Sequence, residues 1–145
     1  MDRYSKFTIL INRISRSIHR IKDSVMCKYG LKSAHVSCLY YLYKEGKPLT
    51  ARELCDACEE DKAAVSRAID LLGKEGYVTC GGNSEKKYKS PITLTQKGEE
   101  VGKAVADNIT RILSVLDDGV SDGDRAILYE SLDKISQTLQ DICDN

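Results

Sequence analysis

The chain has no apolar run approaching the ~20 consecutive residues that a membrane-spanning helix needs, so an integral membrane helix is excluded. It also lacks the build of a secretory leader. In the opening stretch MDRYSKFTILINRISRSIHR arginines interrupt the apolar residues, whereas a leader keeps an unbroken apolar segment ahead of a small-residue cleavage site. We therefore expect a cytoplasmic protein with no membrane partner. There is no excess of charge of either sign: 22 Lys and Arg balance 22 Asp and Glu, so no global field advertises an anionic partner. Histidine is scarce, with only His19 and His35 present, and His19 reads as a surface residue. The single Cys-x-x-Cys, Cys55 and Cys58 in ARELCDACEED, has no second pair and no histidine close by, as a zinc site would require. The other cysteines are 27, 38, 80 and 143, and without a leader structural disulfides are not expected; Cys55 and Cys58 read as buried structural thiols, with a redox or metal role as the alternative. No glycine-rich phosphate loop follows a strand, no nucleophile and base stand at recognisable spacing, and no paired carboxylates sit in an apolar run. The sequence points to no enzyme and to no cofactor or metal.

What is present is helical periodicity and an uneven distribution of charge. A length of 145 residues allows one domain with a real core, or a small domain with helical extensions. In residues 4–27 Phe7, Leu10, Ile11, Ile14, Ile18, Ile21 and Val25 recur at steps of three and four, with Lys6, Arg13, Arg16 and Arg20 on the other side. Gly30 stops that helix, and Ser33 is the expected cap of a second one, rich in tyrosine and leucine, running to about Tyr43. Thr50 with Glu53 forms the S/T-x-x-E capping box of a third helix, whose inner face is Leu54, Cys55 and Cys58. Asp61 caps a fourth, with Val65, Ile69 and Leu72 as its buried stripe. Tyr77 to Cys80 and Pro91 to Thr95 read as a hairpin with the basic tip EKKYK. Two more helices follow, one along Val101, Val105, Ile109, Ile112 and Leu116. The last is capped by Ser121, with a stripe through Ile127, Leu128, Leu132, Ile135, Leu139 and Ile142. Residues 1–32 hold eight Lys and Arg against two Asp and Glu, while 104–145 hold three against nine. The two ends are electrically complementary, which favours their packing within or between chains.

The polar face of the fourth helix carries Lys62, Ala63, Ser66, Arg67 and Asp70. Small residues there let a helix enter a major groove while a neighbouring arginine reaches a guanine edge or a phosphate. Thr50, at the head of the third helix, joins that set as a candidate DNA contact. A hairpin lying beside the same duplex could bring Lys86, Lys87 and Lys89 to phosphates or the minor groove. Capped helix, turn, helix and basic hairpin in that order form a winged helix-turn-helix, against the blander alternative of a solvated polar face and a charged loop.

The stretches LTARELCDACEEDKAAVSRAIDLLGKEGYV and ITLTQKGEE resemble the MarR-type winged-helix transcription regulators, and the order of helices around them is similar too. The resemblance implies a mainly α fold with a small β-hairpin wing, divided as an N-terminal dimerisation helix (1–32), a winged helix-turn-helix (33–98) and C-terminal dimerisation helices (99–145) in one compact unit. It implies a homodimer on a pseudo-palindromic double-stranded operator, most simply a repressor released by a small-molecule or oxidative signal. On that reading Lys62, Ala63, Ser66 and Arg67 fall on recognition-helix positions, and Phe7, Ile11, Ile14, Ile18, Leu128, Leu132, Ile135 and Leu139 fall in the dimer interface. Two stretches, the wing and the turn, depart from the family's pattern. Lys86 and Tyr88 stand where its wing carries Asp-x-Arg, and Glu59 and Glu60 replace a glycine and an apolar residue in the turn. His35, Tyr40, Tyr41 and Tyr43 are the candidate lining of an effector pocket, and Cys27 and Cys38 the candidate oxidant sensors. The rival reading is a winged-helix adaptor that binds protein and has no specific affinity for DNA.

Overall fold

The computed structural model describes residues 1–58, 60–81 and 90–145. Helix α1 (Arg3–Met26) passes through a 3-10 turn (Cys27–Tyr29) to α2 (Ser33–Glu45), α3 (Ala51–Cys58) and α4 (Lys62–Lys74). Strands β1 (Val78–Cys80) and β2 (Ile92–Leu94) precede the long α5 (Gln96–Asp117) and α6 (Asp122–Asp144). The fold is mainly α with a two-stranded antiparallel hairpin. Among the described residues no helix is long and apolar enough to cross a membrane. The chain divides into two compact units, residues 1–108 and 109–145, with the boundary inside α5.

In the first unit α2 is the hub, packing against α1, α3, α4 and β2. Its Val36, Cys38, Leu39 and Leu42 are buried with Met26, Leu54, Val65, Leu72, Ile92 and Val105. Burial of that many apolar side chains, each contributing about 1.5–3 kcal/mol, supplies the drive to fold. Helix α1 starts where the Asp2 carboxylate accepts from the Ser5 N–H at 2.9 Å. It runs on into the 3-10 turn, which is what Gly30 ends, with a φ of 70° in the left-handed region that side chains disfavour. Only Met26 of α1 is buried, so its stripe from Phe7 to Ile21 faces outward.

The start of α2 differs from the expectation. Ser33 is the first helical residue, not the cap: Lys32 holds the cap position, and the Lys32 N–H donates to Nδ1 of His35 at 2.9 Å. The Ser33 N–H donates instead to the Asp23 carboxylate of α1 at 2.8 Å. Histidine thus plays the part of the usual Glu of a capping box, and an aspartate from the preceding helix serves the next free N–H.

In the second unit Ser121 accepts from the Asp124 N–H at 3.2 Å and starts α6, as its sequence suggests. Arg125 fastens the preceding turn. Its guanidinium reaches Asp117 and Asp122 at 3.0 Å each and the Val120 carbonyl at 3.1 Å. No residue of α6 is buried, and its apolar stripe lies exposed.

Candidate nucleic-acid interface

Both helices of the helix-turn-helix are started by the side chains their sequence predicts. Thr50 and Glu53 satisfy each other reciprocally: the Thr50 N–H donates to the Glu53 carboxylate at 2.9 Å, and the Glu53 N–H to Thr50 Oγ1 at 3.2 Å. Thr50 is half-buried and so has a capping duty as well as its candidate contact. Asp61 accepts from the Ala64 N–H at 2.7 Å, fixing where α4 begins. Below α4, Val65, Ala68, Ile69 and Leu72 are buried; Lys62, Ala63, Ser66, Arg67 and Asp70 are exposed together on the opposite face. The amphipathic period alone separates the two sets. Glu60 is exposed in the turn; Glu59 lies outside the described residues.

After α4 the chain turns sharply. The Tyr77 N–H donates to the Leu72 carbonyl at 2.8 Å, and β1 then pairs with β2 in the register Val78 with Leu94, Thr79 with Thr93 and Cys80 with Ile92. Leu49 adds an antiparallel bridge to β2, exchanging N–H to carbonyl bonds with Ile92 at 3.1 and 2.8 Å. Sequence reading missed that third segment: one residue before a capping box carries no periodicity. The hairpin base is closed by the Gly81 N–H on the Pro91 carbonyl at 2.9 Å. Lys86, Lys87 and Lys89, with Tyr88, lie outside the described residues.

The segment ITLTQKG ties the hairpin to α4 and α5. The Thr95 hydroxyl donates to the Gly76 carbonyl at 2.7 Å and accepts from the Gly98 N–H at 3.1 Å. Lys97 Nζ donates to the Glu75 carbonyl at 2.8 Å and sits 4.3 Å from the centre of the Tyr77 ring. A Cβ on Gly98 would overlap the Tyr77 carbonyl oxygen, so only glycine allows α5 to seat there. Gly102 is similarly tight: an added Cβ would lie 2.9 Å from the Tyr43 Cβ.

Tyr43 lines an open cleft of about 460 Å³ with Leu42, Lys44, Lys47, Pro48 and Glu99, and His35, Tyr40 and Tyr41 take no part in it. Tyr40 and Tyr41 stack edge to face, with ring centres 5.2 Å apart. His35 is buried in its capping role, and burial pushes its pKa below the usual imidazole range. The cysteines also separate. Cys27 is exposed, its thiol 3.3 Å from the Ser24 carbonyl. Cys38 is buried, and its pKa is coupled to that of the Cys58 thiol on α3. The influence of Cys58 and burial push Cys38 far up, whereas that of Cys38, with Lys22 helping, holds Cys58 below the usual thiol range. Spacing gives no sign of this pair, because two different helices supply it. Of the proposed interface residues, Phe7, Ile11, Ile14 and Ile18 are 39–56% exposed and Leu128, Leu132, Ile135 and Leu139 are 37–50% exposed.

Comparison with known proteins adds three findings. The MarR family model matches residues 29–83. An uncharacterised HTH-type transcriptional regulator of Bacillus cereus is 26% identical over 124 residues, covering 85% of this chain and 82% of the other, and a counterpart from Bacillus anthracis matches equally. Among solved structures, a MarR family transcription regulator superposes with a TM-score of 0.81 at 16% identity, over 99% of this chain and 95% of that one. A MarR regulator from Methanosarcina mazei Go1 gives 0.75 at 23%, over 98% and 94%. The Staphylococcus aureus MepR–DNA complex gives 0.78 at 18%, over 92% and 97%. At these identities the structures establish the fold.

Proposed function

We propose that this chain, which belongs to the MarR family of HTH-type transcriptional regulators, works as a homodimer that binds a pseudo-palindromic duplex operator and represses until a small-molecule or oxidative signal releases it. The observation that carries the reading is the outer face of α4. Lys62, Ala63, Ser66 and Arg67 stand exposed over a stripe that is buried, on a helix whose start is fixed by Asp61. Arg67 reads a base edge or phosphate, the small residues allow close approach, and Lys62 supplies charge. Lys86, Lys87 and Lys89 follow the backbone from the hairpin as point charges, without the bidentate geometry of arginine. That MepR was solved on DNA supports the assignment for a chain of the same fold.

Dimerisation follows from the two uncovered stripes. Each compact unit exposes a row of large aliphatic side chains too long for an isolated solvated helix, and a second copy is the partner that buries both rows under two-fold symmetry. A dimer of this kind sets its two recognition helices about one DNA turn, roughly 34 Å, apart. The complementary charge of the two ends favours that pairing.

The test is fluorescence anisotropy against the DNA upstream of the protein's own gene, at two salt concentrations with nonspecific competitor. Saturable binding that survives competitor is expected, together with its loss in Arg67→Ala at unchanged dimer mass. Alanine at Lys86, Lys87 and Lys89 should lower the salt slope by about one per phosphate contact removed. Duplex binding that vanishes under competitor, or none, would replace this reading with the protein-binding adaptor.

A further inference from the structure

We infer that Asp70 of α4 selects sequence: its carboxylate accepts a hydrogen bond from the N4 amine of a cytosine, in the base pair that Arg67 reads or in the next one. The inference rests on the operator-binding reading and names what that surface requires. With each residue turning a helix by roughly 100°, Val65, Ala68, Ile69 and Leu72 form the buried side of α4. Asp70 stands nearly opposite them, in line with Ala63 and flanked by Ser66 and Arg67, at the centre of the exposed face. From Lys62 to Asp70 the helix rises about 12 Å, the length of three to four base pairs at roughly 3.4 Å each. A groove that takes Arg67 therefore takes Asp70 as well. Side chains three apart on a helix are neighbours, yet among the described residues no ion pair or hydrogen bond engages either Arg67 or Asp70. Both charges come to the duplex uncommitted.

A carboxylate in the major groove tolerates few neighbours. It offers acceptors only, and the phosphates on both sides repel it. Guanine presents the acceptors N7 and O6, thymine the acceptor O4, and adenine an acceptor N7 beside its N6 amine; cytosine alone presents an amine with no acceptor on its own edge. Arg67 has the reciprocal need, because a guanidinium only donates and guanine N7 and O6 match its fork. Two adjacent side chains with opposite requirements thus fit a G·C pair, or two in succession, with the arginine on guanine and the aspartate on cytosine. Any other base opposite Asp70 leaves a dehydrated carboxylate against an acceptor or without a donor. The residue discriminates by rejection as much as by attraction.

The test selects binding sites from a pool of random duplexes with the full-length parent and with Asp70→Asn, sequences them, and titrates the winners by fluorescence anisotropy. Asparagine keeps the shape of aspartate but pairs with adenine N6 and N7. The expected parent half-site has a cytosine in the same pair as a fixed guanine or in the adjoining one. In the Asp70→Asn half-site that cytosine becomes adenine while the guanine stays, and random duplex binds more tightly because a negative charge has left the face. A second measurement needs no variant: replacing the cytosine by pyrimidin-2-one, which lacks the N4 amine, should weaken the parent roughly tenfold, as one lost base contact does. A parent half-site without that cytosine, the same site selected by Asp70→Asn, or full affinity for the pyrimidin-2-one duplex overturns the inference. Loss of the guanine together with the cytosine in Asp70→Asn also overturns it and makes Asp70 a support for Arg67. A parent that selects no sequence at all overturns the operator-binding reading, and this inference falls with it.

Discussion

Gly98 and Gly73 both lie inside helices, and alanine at the two positions should move stability in opposite directions. Alanine in place of helical glycine favours folding by about 0.5–1 kcal/mol through the unfolded chain's lost freedom. At Gly73 nothing lies within 4 Å of an added Cβ, so that gain should appear undiminished. At Gly98 the methyl would overlap the Tyr77 carbonyl oxygen and press on Leu94 Cδ2 at 3.1 Å. Restoring ordinary contact near 3.5 Å forces α5 back by roughly one and a half ångströms. That movement pulls on the Gly98–Thr95 and Lys97–Glu75 hydrogen bonds, now 3.1 and 2.8 Å. Overpacking costs about 1–3 kcal/mol and each lost hydrogen bond about 1, against a propensity gain of about 1. The net loss for Gly98→Ala is therefore about 2–4 kcal/mol, a fall in Tm of roughly 5–15 °C for a chain of this size. Urea titration followed by circular dichroism, at fixed protomer concentration, measures both variants. A Gly98→Ala protein as stable as the parent, or two variants shifting the same way, would refute the close-approach argument.

The His35 cap makes the protein sensitive to acid. Its folded pKa is depressed, so its contribution is complete above the ordinary value of about 6.5 and is lost as pH falls through the lower folded value. Urea midpoints should decline across that window in the parent but not in His35→Ala, which loses about 1 kcal/mol at neutral pH. Asp61→Ala should cost about 1 kcal/mol and fray the start of α4, seen as faster amide exchange from Ala63 to Val65. Ile14→Glu or Leu132→Glu should give a monomer in sedimentation velocity; a monomeric parent would defeat the assembly itself.

Much of this architecture is legible in the sequence wherever the information is local. The stripes of α1 and α6, the Thr50–Glu53 box, and the caps at Asp61 and Ser121 each rest on residues within a turn of one another, and each appears where the pattern puts it. So does the division of α4 into a buried and an exposed face. Non-local relations stay hidden. The Lys32–His35 cap escapes because histidine is not a usual partner, and Asp23 reaches Ser33 from another helix. The Leu49 bridge and the Cys38–Cys58 coupling depend on how α2, α3 and β2 pack. The cleft beside Tyr43 is non-local in the same way, its lining drawn from α2, the turn after it, β2 and α5.

The hairpin base has a consequence for how such a protein diversifies. Between Gly81 and Pro91 the chain leaves and re-enters a frame closed by their own 2.9 Å bond, by the β1–β2 register and by the Leu49 bridge. A one-residue slip would turn Thr79 and Thr93 inward and Val78 and Ile92 outward, so the register is held by burial. The outward positions Thr79 and Thr93 can therefore change with little effect on the frame, whereas a polar side chain at Val78 or Ile92 would be buried without a partner and would loosen the register itself.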